Sequence, residues 1–119
     1  MSNQNNDIQA LRHSAAHLLA HAVSELYPTT LLTIGPATQD GFFYDMLPEK
    51  NFKEDDLPII LARMQEIVKK NYLLEHKQIS KQEARKIFAH NRFKLELIDM
   101  IPDETVGLAV QGNFYDLCK

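Results

Sequence analysis

The chain has 119 residues, enough for one domain and too few for two of ordinary size. A single cysteine excludes an internal disulfide, and no stretch approaches the roughly 20 apolar residues of a membrane span. With 45% apolar residues, a net charge of −3 and no signal-peptide pattern, the sequence reads as a cytoplasmic domain with an ordinary core.

Residues 1–7 are polar and read as a disordered tail. From Ile8 to about Tyr27 the apolar residues Leu11, Ala15, Leu18, Leu19, Ala22, Val23 and Leu26 recur at three- and four-residue steps, which predicts a long helix. Asp7 is the expected N-cap, and Pro28 ends the run. Thr29 to Ile34 and Gly41 to Met46 read as two strands joined in a hairpin by the polar link Thr38–Gly41. Gly35-Pro36 interrupts the first of them. A second helix follows, with Leu57, Ile60, Leu61, Met64, Ile67 and Val68 as its apolar stripe. Pro58 is tolerated only in its first turn, and Asn71 marks its end.

Tyr72 to Ile79 alternates and predicts a strand. Ser80 and Glu83 form a capping-box pattern that opens a third helix through Phe88 or Ala89. Phe93 to Ile101 has helical spacing, and Val106–Val110 and Asn113–Leu117 read as a last pair of strands around Gly112. Helices and hairpin strands in irregular order define an α+β class, an antiparallel sheet packed against a long N-terminal helix and further helices. The charge is uneven. Residues 61–94 carry nine basic and three acidic side chains, a local balance of +6 that leaves −9 elsewhere. Such a segment can meet phosphates, and it equally describes solvated helix faces.

Two sets of residues carry possible chemistry. His13 and His17 lie four apart on one helix face, where imidazoles can manage protons or bind a metal. The zinc-protease pattern needs a Glu directly after the first histidine, and Ser14 occupies that place. His21 drifts farther round the helix, toward packing or the surface. Asp116 and Cys118 are two apart near the C-terminus, on one face of an extended segment. His13, His17 and Cys118 make three ligands, one short of a closed zinc site. No Gly-rich phosphate loop is present, and no Ser-His-Asp order suggests an acyl-enzyme route.

The segments HSAAHLLAHAVSELYP, TIGPATQDGFFYD and FYDLCK resemble the editing domain of bacterial threonyl-tRNA synthetases, over roughly residues 8–119. A weaker form of that domain occurs in alanyl-tRNA synthetases and in free-standing trans-editing proteins. The resemblance implies that His13, His17, Lys94, Asp116 and Cys118 are catalytic and that Tyr44 binds substrate. It implies hydrolysis of seryl-tRNA made in error, with the 3′ aminoacylated end of tRNA as partner and serine as the amino acid removed. No metal and no cofactor are expected within this chain. ATP, magnesium and a zinc ion are expected in the synthetic domain of the parent ligase, itself expected to be a homodimer. The alanyl-type relatives use the same constellation for zinc, so a stand-alone alanyl-type deacylase is the alternative, with a non-catalytic tRNA-binding module as a third. The family's pattern continues past the cysteine through Gly-Pro to another histidine, whereas this chain ends at Lys119. The resemblance therefore implies a partial editing domain, with little or no hydrolysis by the isolated chain.

The need for such a domain follows from elementary energetics. Serine is threonine without a methyl group, and a missing methyl is worth only about 1–3 kcal/mol of discrimination. A second pocket can destroy the wrong product. Its bond is an activated ester, so a placed water, a group for its proton and a nearby cation suffice.

Overall fold

The computed structural model describes residues 3–118. Helix α1 spans Asn3–Leu26. It starts earlier than the sequence predicts, so residues 3–7 of the expected tail are helical and Asp7 lies inside the helix, not at its cap. Residues 1 and 2 lie outside the described residues. Ala16, His17, Ala20, His21, Ala22 and Val23 are the buried residues of α1. Small side chains there let neighbouring elements approach the helix backbone closely.

Strands β1 (Leu31–Leu32) and β2 (Met46–Leu47) pair antiparallel, Leu31 with Leu47 and Leu32 with Met46. Both are far shorter than predicted, although the hairpin itself is present. Thr33 N–H donates to the Asp45 carbonyl at 2.9 Å, Asp45 N–H to the Ile34 carbonyl at 2.8 Å, and Ala37 and Phe42 form an isolated bridge. Pro36 has no N–H to give a ladder, and Gly35 lets the chain bend, so regular pairing breaks between these contacts. Tyr44 consequently lies in an extended link and not in a strand.

Helix α2 (Asp56–Lys69) packs on α1. Asn71, with a φ of 56°, turns the chain left-handed just after it. Its apolar stripe is only half used. Ile60 and Ile67 are buried, whereas Leu57, Leu61 and Val68 are each more than half exposed. At 100° per residue these three lie roughly 60–100° round the helix from Ile60, beyond the reach of α1.

Strand β3 (Leu74–Ser80) leads into α3 (Lys81–Ile87), then α4 (Arg92–Met100), β4 (Thr105–Gln111) and β5 (Phe114–Leu117). The Ser80 Oγ accepts from Glu83 N–H at 3.1 Å, as the capping pattern predicts. The sheet order is β3-β4-β5, all antiparallel, with β4 central. Gln111 faces Phe114 across a two-residue turn whose first residue, Gly112, has a φ of 59°.

The sheet separates two apolar clusters. Val106, Leu108, Val110 and Leu117 pack with Ala84, Phe88 and Ile98 of the α3–α4 side. Phe114 joins the cluster of α1, β1, Tyr44 and α2 on the other face. Asp116 shares the strand face of Phe114 and stands opposite Ala109 of β4. The period-two pattern of β5 thus aims a carboxylate at α1. Among the described residues no helix is long and apolar enough to cross a membrane.

Candidate functional site

Asp116 is 1% exposed, which is tolerable for a carboxylate only with strong partners. It has three. His17 Nδ1 lies 2.8 Å from Oδ2. The Tyr44 hydroxyl lies 2.8 Å from Oδ1 and 2.9 Å from Oδ2. The Lys94 ammonium bonds and ion-pairs with Oδ1. Lys94 is itself 2% exposed and also reaches the Thr33 carbonyl and the Tyr44 oxygen, each at 3.0 Å. Its three N–H donors therefore meet three acceptors. Four elements converge here: α1, the β1–β2 connection, α4 and β5.

Burial would raise the Asp116 carboxyl, but the bond from His17 and the charge of Lys94 hold it below its ordinary value of 3.8. Burial lowers Lys94, and the Asp116 charge opposes that. Burial and the adjacent carboxylate push the Tyr44 phenol well up, so it remains a neutral donor. For His17, burial acts to lower the imidazole. The bonds to Asp116 and Cys118 and the electrostatics of both outweigh it and raise it to about 9. A value raised this far favours the protonated ring at neutral pH. Its Nδ1 holds Asp116, its Nε2 is buried on the opposite edge of the ring, and Cys118 also bonds this histidine.

The expected site residues are placed unequally. His17, Tyr44, Lys94 and Asp116 form one bonded cluster, and the half-buried Cys118 interacts with His17. His13 is exposed and stacks on His17, with ring centroids 5.9 Å apart and planes 15° apart. His21 is buried and stacked on Phe114 at 5.0 Å, with Nδ1 2.9 Å from Gln111 Oε1. Among the described residues no group of three or more His, Cys, Asp or Glu side chains is placed to hold a metal ion. The basic residues of 61–94 spread over α2, β3, α3 and α4. Lys94 faces inward, and Arg63 is tied to Glu25 at 3.2 Å and Glu66 at 3.4 Å.

Sequence reasoning missed three contributors. The Thr33 carbonyl has no side-chain signature. Asn91, just before a helical run, carried the ordinary N-cap signal. Gly35 is packed so tightly that a Cβ there would lie 2.2 Å from Tyr44 Cδ2. Gly35→Ala is expected to displace the Tyr44 ring from Asp116 and to destabilise the chain by about 1–3 kcal/mol. Urea unfolding, with tyrosine absorbance following the ring's environment, checks both effects. Unchanged stability and spectrum would refute the crowding.

The fold and the site define a small α+β domain built round one buried carboxylate clamped by an imidazolium, an ammonium and a phenol. No family model matches the chain. The chain is similar to threonine–tRNA ligases: 47% identical over 112 residues to that of Rubrobacter xylanophilus, 46% over 114 to that of Dehalococcoides mccartyi and 44% over 113 to that of Staphylococcus aureus. These matches take in 94–96% of this chain and 18–20% of each relative. The chain therefore spans about a fifth of the length of the curated relatives it matches.

Proposed function

We propose that this chain is the editing part of a threonine–tRNA ligase and that the Asp116 cluster serves to hydrolyse serine wrongly esterified to the tRNA. The observation that carries the reading is the buried His17–Asp116–Lys94–Tyr44 cluster in a chain of this similarity. In this reading tRNA is the partner, and ATP-dependent joining of threonine belongs to the remaining length of the ligase.

The geometry refines the roles. A His17 imidazolium cannot be the base that activates water, because both its nitrogens already hold protons at neutral pH. In this reading it acts as a donor: Nδ1–H is fixed by Asp116, and the other ring N–H, beside Cys118, turns to a substrate oxygen when substrate enters, either the developing oxyanion or the departing ribose oxygen. Asp116, with both oxygens occupied, fixes His17 and leaves the substrate amine to other groups. Lys94 contributes positive charge through space, its donors being engaged. In this reading the exposed His13, stacked on His17, takes the proton from water. Cys118 shapes the wall beside His17.

The test places the 119-residue chain in the Staphylococcus aureus ligase in exchange for its matching segment, and measures deacylation of seryl- and threonyl-tRNA. Preferential loss of serine is expected. His17→Ala is expected to slow it by about 10²–10⁴-fold, the usual worth of a placed proton donor. Equal rates for the His17→Ala protein would reject the assignment. Salt-dependent tRNA binding with no deacylation would leave an RNA-binding role in its place.

A further inference from the structure

Asn91 makes more bonds than a helix cap needs. It is 4% exposed and opens α4. Its Oδ1 accepts from Phe93 N–H at 3.1 Å and from Lys94 N–H at 3.3 Å, which is the ordinary capping function. Its Nδ2 donates to the carbonyl of Leu32 in β1 at 2.7 Å, across 59 residues of sequence. The next carbonyl along, that of Thr33, accepts from Lys94 Nζ at 3.0 Å. Two residues at the start of α4 therefore grip two consecutive carbonyls of the β1 segment. One grip is a neutral amide and the other is the ammonium of the site.

Capping alone does not call for asparagine. Aspartate and serine cap about as well. Only the amide supplies both the acceptor for the helix and a donor for the strand. An aspartate would keep the cap and set an oxygen against the Leu32 carbonyl at the present 2.7 Å. A serine would keep the cap and fall short of Leu32. That amide N–H is the tie between α4 and β1 that does not involve Lys94 itself, whose ammonium lies between Thr33, Tyr44 and Asp116.

We infer that Asn91 is a positioning residue for Lys94: by tying the first turn of α4 to β1 it sets where the cation of the site sits. Its consequence for catalysis rests on the hydrolytic reading above, but the placement itself does not. The decisive experiment observes lysine ammonium groups in the ¹⁵N-labelled 119-residue chain, with the Lys94 signal assigned by its loss in Lys94→Gln. A buried ammonium with three acceptors gives a slowly exchanging signal, and Asn91→Ser and Asn91→Asp are expected to abolish it or speed its exchange about tenfold, as the loss of buried hydrogen bonds requires. If both variants keep the signal at the same position and rate, Asn91 is a cap and nothing more. If neither variant folds, judged by amide dispersion, the amide holds the whole fold and not the ammonium, and the inference also fails. In the ligase exchange protein, Asn91→Ser is expected to lower kcat for seryl-tRNA with KM little changed. An exchange protein with no hydrolysis at all defeats the functional reading and leaves the ammonium result standing.

Discussion

Lys94→Met is expected to cost about 3–5 kcal/mol of unfolding free energy, the usual penalty for breaking a buried ion pair by removing one partner. Methionine keeps much of the lysine stem's volume, so packing loss is small. What remains is Asp116, 1% exposed, with the charge of Lys94 gone. Tyr44 and His17 still donate to it, which keeps the effect within that range. The Thr33 carbonyl also loses its bond from Nζ. Asp116→Asn removes the other half of the Lys94–Asp116 pair, so the double change is expected to cost less than the sum of the two single ones. The two changes should therefore be strongly non-additive, because the groups touch. Urea unfolding of the two single variants and the double variant measures this directly. A loss below about 1 kcal/mol for Lys94→Met would place the pair in the class of weak surface bridges and contradict its burial.

The second large effect is on pH. The folded His17 value of about 9 lies above its ordinary 6.5, so the folded state binds this proton more tightly than the unfolded chain. The stabilisation is fully present below pH 6.5 and is lost as pH rises through about 9. At 1.36 kcal/mol per unit, the span corresponds to roughly 3 kcal/mol. Asp116 behaves oppositely. Its carboxyl is held below the ordinary value, so its contribution is present at neutral pH and disappears only in acid. Lys94 is lowered by burial, so its cost is relieved toward alkaline pH and trims the His17 loss. Stability should therefore fall most steeply between about pH 7 and 9, and His17→Gln should flatten that slope. An NMR titration of His17 with a midpoint near 6.5 would sink the prediction.

Local periodicity made α1, α2, α3, α4 and the last hairpin legible, because each element carries its own spacing, cap or turn residue. The Ser80 cap and the turn at Gly112 are examples of signals that need no tertiary knowledge. The β1–β2 pair was legible as a hairpin but not in length, since Gly35-Pro36 disrupts the ladder by an amount only packing decides. The apolar stripe of α2 was legible, yet how much of it is buried depends on how wide a face α1 covers, which periodicity does not encode. The site was legible mainly through resemblance. Spacing treats His13 and His17 alike, but only His17 lies over the Asp116 position of β5. Lys94 looked like a solvated helix lysine, and nothing in its neighbours announces an inward course. The protonation of His17 was beyond sequence altogether, because it arises from a carboxylate and a thiol about a hundred positions away.

That separation has a consequence for birth on the ribosome. His17 and Asp116 are 99 positions apart, which at roughly 5–20 residues per second means on the order of 5–20 s of translation between them. During that interval α1, β1, β2 and α2 can collapse together, while the imidazole of His17 and the phenol of Tyr44 still lack their shared anion. Only once β5 has been made can Phe114 join the apolar cluster and Asp116 meet its three donors. A nascent chain stalled short of Phe114 lacks both the ring that packs against α1 and the anion of the site.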